Sequence, residues 1–235
     1  MIEFRNVSYT TEDDNEIIKD VSFKLSERFV VVTGPNGSGK STIARLIAGI
    51  IKPTSGRIFI DDKDITDLNV TERAAEGISY GFQQPVRFKG LTVKDLLSLA
   101  SGKKLTTAEA CTLLAKVGLC ARDYVGREAN ASLSGGELKR IEIAMIMARN
   151  TRISVFDEPE AGIDLWSFNN LINVFKELHE NTKGTIIIIS HQERILKLAD
   201  RIIVIAGGTV TADGEGSKLY NEIQTPGCIY YRKGD

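Results

Sequence analysis

The sequence predicts an α/β protein: a parallel sheet with helices on both faces, an antiparallel β region ahead of it, and an inserted helical lobe. Three observations carry this. Short β-branched strands alternate with segments of helical periodicity along most of the 235 residues. Ile186-Ile187-Ile188-Ile189 is apolar on both faces, as a central, doubly covered strand must be. Gly34 to Thr42, Gly-Pro-Asn-Gly-Ser-Gly-Lys-Ser-Thr, satisfies the phosphate-loop pattern G-x-x-x-x-G-K-[ST] between a strand and a helix.

Residues 1 to 33 read as three strands: Ile2 to Val7, Ile17 to Leu25 with Val21, Phe23 and Leu25 on one face, and Phe29 to Thr33. Asp13-Asp14-Asn15 is a turn. Tyr9 falls just after the first strand, where its ring could stack on an adenine base, although an aromatic beside a strand is more often core. Ile43 to Ile51 reads as the loop helix, broken by Lys52-Pro53-Thr54-Ser55-Gly56. Arg57 to Ile60 is a strand ended by Asp61-Asp62, Glu72 to Glu76 a helical turn, and Gly77 to Phe82 a strand interrupted by Gln83-Gln84-Pro85. The pattern then turns helical over Thr92 to Ala100, Thr106 to Val117 and Glu137 to Ala148. Strand signal returns at Arg152 to Phe156, followed by a helix from Asp164 to Glu180, the strand Thr185 to Ser190, a short helix, and the strands Arg201 to Ala206 and Thr209 to Ala212. This organisation is one domain over 1–235, with a core lobe of 1–84 and 150–235 and a helical lobe of 85–149.

A chain of this length buries roughly 70–75% of its unfolded surface and needs no covalent staples. Thirty basic residues against 31 acidic ones leave no basic field for nucleic acid. No apolar run approaches the roughly 18 residues needed to span a bilayer, and Met1-Ile2-Glu3-Phe4 lacks a signal-peptide pattern, so a cytoplasmic location is expected. Cys111, Cys120 and Cys228 have no C-x-x-C spacing and read as unpaired thiols.

The phosphate loop predicts the central chemistry. Within Gly34, Pro35, Asn36, Gly37, Ser38, Gly39 and Lys40, the backbone N–H groups from Gly37 onward can wrap a β-phosphate, because glycine permits close approach and a helix N-terminus attracts anions. Lys40 should reach the β- and γ-phosphates, Ser41 should ligate Mg²⁺, and Thr42 is a second phosphate contact. Leu133-Ser134-Gly135-Gly136-Glu137 is a second glycine-rich loop opening on a helix. One nucleotide needs one cradle, so two cradles per chain predict that Ser134, Gly135 and Gly136 close over the ATP of another molecule. Ile153-Ser154-Val155-Phe156-Asp157-Glu158 brings two acids to the carboxyl end of a strand, where ligands of such sheets bind.

These motifs, in this order over roughly residues 1 to 215, resemble the nucleotide-binding subunit of the ATP-binding cassette family, a P-loop NTPase. The resemblance implies an ATPase that uses ATP and Mg²⁺ and forms a homodimer on ATP. It implies that Asp157 orients the Mg²⁺ shell and that Glu158 polarises the attacking water. Gln83 matches the Q-loop, bridging Mg²⁺ or water to the helical lobe; Ala161-Gly162-Ile163-Asp164 matches the D-loop, with Asp164 suited to cap the next helix. His191 matches the switch histidine at the γ-phosphate, and Tyr9 the adenine-stacking position. Lys40, Glu158 and His191 are thus the catalytic set implied. Ser154 departs from an otherwise apolar strand, and His179 matches nothing and reads as a solvated helix residue.

The residues flanking the motifs are more particular. Thr71 to Ile78, Phe82 to Gly90, Glu137-Leu138-Lys139-Arg140-Ile141-Glu142 and His191 to Leu196 resemble the SUF-system ATPase of iron–sulfur cluster assembly (SufC type). That resemblance makes the cluster-assembly ATPase the favoured reading, a subunit that drives conformational change in a soluble scaffold partner of the SufB type, with the ATPase subunit of a membrane transporter as the alternative. Leu198-Ala199-Asp200-Arg201-Ile202 and Asp157-Glu158-Pro159 are as typical of transporter cassettes, for which the partner is a membrane permease. The tail, with Thr225-Pro226-Gly227-Cys228 and Tyr230-Tyr231, is not explained by either.

Overall fold

The computed structural model describes residues 1–130, 132–181 and 183–224. In chain order it contains β1 (Ile2–Thr10), β2 (Glu16–Leu25), β3 (Phe29–Thr33), α1 (Lys40–Ala48), β4 (Ser55–Ile60), β5 (Lys63–Asp64), α2 (Val70–Ala75) and β6 (Ile78–Gly81). There follow α3 (Val93–Ser101), α4 (Thr107–Lys116), α5 (Ala121–Tyr124), α6 (Gly135–Arg149), β7 (Ile153–Asp157), α7 (Leu165–Asn181), β8 (Thr185–Ile189), α8 (Glu193–Leu196), β9 (Arg201–Ala206), β10 (Thr209–Glu215) and α9 (Gly216–Gln224).

Two sheets organise these elements. A six-stranded sheet has the order β10-β9-β3-β8-β7-β6, parallel except for β10, and an antiparallel sheet has the order β2-β1-β4-β5. Every residue of β3, β7 and β8 is buried, which is why their sequences are mostly apolar on both faces and do not alternate, with Ser154 and Asp157 of β7 the buried polar exceptions inside and at the end of that strand. Alternate residues serve opposite cores. Val30, Val32, Ile187 and Ile189 pack with Ile43, Leu46 and Ile47 of α1 and with Ile2, Phe4 and Val7 of β1, so α1 fills the space between the two sheets. Val31, Ile186 and Ile188 pack on the other side with Phe175 of α7 and with residues of α3, α4 and α6.

Several helices are fixed by their own first turns. Asn69, Thr92, Thr106 and Ser134 each cap a helix whose third residue, Glu72, Asp95, Glu109 or Glu137, returns a carboxylate to the cap's backbone N–H. Arg73 of α2 is fully buried and donates to the carbonyls of Leu46 and Ile47 (3.0 Å), at the C-terminal end of α1, and of Thr66 (3.0 Å) and Leu68 (3.1 Å). The guanidinium thus supplies donors at the end of the phosphate-loop helix, where Leu46 otherwise accepts only from the Gly49 N–H at 3.3 Å.

The structure moves several predicted boundaries. β1 continues to Thr10, so Tyr9 lies within the strand, paired with Ile18. α1 begins at Lys40 and not at Ile43, because Gly39, with φ of 100°, makes the turn into the helix. α6 begins at Gly135, since Ser134 and Glu137 form its cap. Ser154 is accommodated by Thr151, whose hydroxyl lies 3.2 Å from its own. His179 corrects the sequence reading: it is half-buried, its Nε2 is 3.0 Å from Asp200 Oδ2, and its ring centroid lies 5.3 Å from that of Phe29. It is placed there because the last turn of α7 packs over the start of β3. Cys111 and Cys120 are free thiols, whereas Cys228 and the rest of 225–235 lie outside the described residues. Among the described residues no helix is long and apolar enough to cross a membrane.

Candidate functional site

A cleft of about 580 Å³ opens over the loop between β3 and α1. Its walls bring together Tyr9 of β1, Asn36, Gly37 and Gly39 of the loop, Lys40, Ser41 and Thr42 of α1, Gln83, and Glu158. The loop's shape depends on glycine. Gly34 has φ of 139°, and a Cβ there would lie 1.9 Å from the carbonyl oxygen of Ile205. Lys40 is buried, and its ammonium donates to the carbonyls of Gly34 (2.9 Å) and Pro35 (2.7 Å), curling the side chain back under the loop. Burial lowers its pKa, opposed by the carboxylates of Glu158 and Asp157. Ser38 is buried too, and its Oγ has no hydrogen-bond partner among the described residues.

Beside the loop, β7 delivers its acids. Asp157 is buried, accepting from Ser41 Oγ at 2.8 Å and from the Tyr80 hydroxyl at 2.9 Å. Burial raises the pKa of Tyr80, and the Asp157 carboxylate raises it further, so the phenol stays a donor. Glu158 adopts φ of 43°, a left-handed conformation uncommon for this residue type. Its Oε2 accepts from Gln83 Nε2 at 2.6 Å, so the glutamine and the second acid meet across the cleft.

The remaining predicted residues lie elsewhere. Ser134 caps α6, accepting from the Glu137 N–H at 3.3 Å, and a Cβ on Gly135 or Gly136 would meet nothing within 4 Å. This open cradle does not line the cleft of its own chain. His191 follows β8 and is exposed, also off the cleft wall. The residues beside it are pinned: Ser190 Oγ donates to Glu160 Oε1 at 2.5 Å and accepts from the Gln192 N–H at 3.0 Å. Burial raises the Glu160 pKa, partly offset by that serine bond. Sequence reasoning missed Glu160, Tyr80 and Arg45, the last also on the cleft wall. Tyr80 had one usable signal, its place three residues before Gln83 at the end of a strand.

A second concavity, apolar and of about 310 Å³, lies between α2, β6, α3 and α6. Ile50 (39% exposed), Val70 (50%), Phe82 (44%) and Val86 (45%) all line it, four of the five exposed large hydrophobic residues among those described. Phe82 immediately precedes Gln83, so this groove adjoins the cleft.

The donor set fits Mg²⁺-bound nucleotide. The hydroxyl of Ser41 and the carboxylate of Asp157 are hard oxygen ligands already side by side, and the unpartnered Ser38 hydroxyl and the glycine loop offer hydrogen bonds to phosphate. Mg²⁺ bound at Ser41 and Asp157 would neutralise phosphate charge; Lys40, Gln83 and Glu158 would hold phosphate oxygens and water in place.

Comparisons agree with this chemistry. A family model described as ABC transporter matches residues 18–161. The chain is 38% identical to an uncharacterized ABC transporter ATP-binding protein of Methanocaldococcus jannaschii, over 88% of this chain and 86% of the relative. It is 33% identical to the energy-coupling factor transporter ATP-binding protein EcfA2 of Clostridium acetobutylicum, over 95% of this chain and 82% of the relative. Its fold superposes with a TM-score of 0.80 and 27% identity on a dimeric ATP-binding cassette in a post-hydrolysis state bound to ADP and Pi, covering 92% of this chain and 98% of the other. The two named relatives are transporter proteins, so the flank resemblance to the SUF ATPase finds no support in them. Two flank residues have a local explanation: Glu72 and Glu137 each complete a helix cap. The chain belongs to the ABC transporter family, as one of its Mg-ATP-hydrolysing cassettes.

Proposed function

We propose that this chain is the ATP-hydrolysing subunit of a membrane transporter, working as a dimer whose closure on ATP moves a permease. The observation that supports it is the apolar groove rimmed by Ile50, Val70, Phe82 and Val86. Exposed apolar residues gathered on one concavity fit a short helix of a partner, and the groove touches the segment that carries Gln83. Occupancy of the groove and occupancy of the cleft are then felt by the same few residues.

In this reading Tyr9 stacks on the adenine, residues 34 to 42 cradle the phosphates, and Ser41, Gln83 and Asp157 serve the Mg²⁺ shell. Glu158 acts on water and His191 touches the γ-phosphate. Ser134, Gly135 and Gly136 of the second copy complete the site, since their cradle is open and lies off the cleft of its own chain.

Tagged protein expressed in its own host should follow the membrane fraction and retain a multispanning partner in detergent. Val86→Asp should weaken that retention at least about tenfold and leave ATP affinity within about threefold, because the groove and not the phosphate loop is altered. Charge reversal at Arg87 and Lys89 should weaken it less. Recovery from the soluble fraction with a partner that holds an iron–sulfur cluster would replace this reading with the SUF one.

A further inference from the structure

Lys139 and Glu142 lie one turn apart on α6, with side chains only 1% and 15% exposed, and they meet at 3.0 Å. Such a pair is seldom more stabilising than apolar residues of the same volume, and α6 is otherwise packed with Leu138, Ile141, Ile143 and Ala144. What distinguishes the pair is where its other bonds go. Glu142 Oε1 accepts from the Phe82 N–H at 2.9 Å, and Lys139 Nζ donates to the Phe82 carbonyl. Both polar groups of one backbone unit are gripped from one helix, in a segment that has no regular secondary structure of its own.

Phe82 has contacts in two further directions. Its ring meets that of Tyr80 edge-on at 4.9 Å, and Tyr80 bonds Asp157. The next residue, Gln83, bonds Glu158. The same helix begins at Gly135, capped by Ser134, at the second cradle.

We infer that the Lys139–Glu142 pair is a positioning device that ties Gln83 to α6, so that the second cradle and the Gln83–Glu158 contact move as one body. Neither residue touches the cleft; both act through the backbone of Phe82. The inference rests on the role proposed above for Gln83.

The test is Lys139→Met with Glu142→Leu, apolar replacements of similar volume that remove the grip and keep the packing. Thermal melting first establishes that the double variant folds. In nucleotide-free protein, hydrogen–deuterium exchange over residues 82–88 should become at least about tenfold faster, as lost backbone bonds require. ATP turnover should fall at least about tenfold in kcat with KM within about threefold, because positioning is lost and binding is not. In a Gln83→Ala background the same replacements should cost little more, since two changes on one route are not additive. Unchanged exchange, or a full additive loss beside Gln83→Ala, would overturn the inference. If Gln83→Ala alone leaves kcat intact, the role of Gln83 fails and the coupling with it; if Gln83→Ala is impaired and the double variant is not, only the coupling fails. Should the double variant not fold, Lys139→Met alone, which leaves Glu142 able to take up a proton, reads the same exchange and turnover.

Discussion

Two acids stand next to each other at the end of β7, and their surroundings differ. Asp157 is buried and held by two hydroxyls, Ser41 and Tyr80, whereas Glu158 turns into the cleft through a left-handed backbone and meets Gln83. Holding metal suits the first, and acting on water the second. Glu158→Gln should therefore leave ATP affinity within about threefold and lower turnover by at least about a hundredfold, as removal of a general base does. Size exclusion with Mg-ATP should then show a trapped dimer. Lys40→Ala should instead lose nucleotide binding, because the buried ammonium faces phosphate charge in the ground state as well. An unaltered rate in Glu158→Gln would show that another group activates the water.

Helix ends carry the structure's next level of control. The guanidinium of Arg73 satisfies carbonyls at the end of α1, the helix that presents Lys40 and Ser41 at its other end. Arg73→Met would strip the Ile47 carbonyl of its donor and leave Leu46 only the Gly49 N–H at 3.3 Å, at a cost of at least about 2 kcal/mol, which is roughly 4–8 °C in melting temperature for a chain of this size. A melting curve unchanged from the parent would mean that water replaces the guanidinium. The caps of α3 and α4 predict a response to acid. The Thr92 side chain and N–H hold Asp95 below its ordinary value, and the Thr106 N–H, the Thr106 hydroxyl and Lys103 hold Glu109 down to about 2. A carboxylate whose pKa is depressed by folding contributes stability above its unfolded value, and that contribution is lost as pH falls through the folded value. Between about pH 4.5 and 2 the first turn of α4 should thus lose amide protection, read by hydrogen exchange after correction for the intrinsic rate, and the first turn of α3 should lose it as pH falls below the ordinary aspartate range. Thr106→Ala should move the loss in α4 to higher pH.

At the scale of the molecule the question is whether one chain contains a whole site. The cleft holds the phosphate loop, Gln83 and Glu158, while the cradle at Ser134 faces open space and lies off the cleft wall. A Lys40→Ala chain and a Ser134→Arg chain should each be inactive alone. Mixed, they form a heterodimer with one site in which both cradles are intact, so activity should return to as much as about half of the parental value, as expected for one working site of two. A verified heterodimer without activity would show that the sites are not shared in this way.

The sequence determined the parts whose physics is local. The glycine–lysine spacing of residues 34 to 42 predicts a phosphate loop because no other use of that pattern between strand and helix is as well matched, and the isoleucine run at 186–189 predicts a central strand because only double coverage tolerates it. Ser134 and Asp157-Glu158 are legible for the same reason, as a glycine-loop hydroxyl ahead of a helix and an acidic pair at a strand end, placed by short spacings. The flanks around these motifs misled the choice of partner, since Glu72 and Glu137 satisfy helix caps close by and need no scaffold to explain them. Only the tertiary structure decided what long-range contacts decide. It set Tyr80 on Asp157, 77 residues away, Gln83 on Glu158, 75 residues away, and Arg73 under the end of α1. It gathered Ile50, Val70, Phe82 and Val86 onto one groove, which no periodicity reveals, because those residues come from three separate segments of the chain and are brought together only by the packing of α2, α3 and α6 around β6.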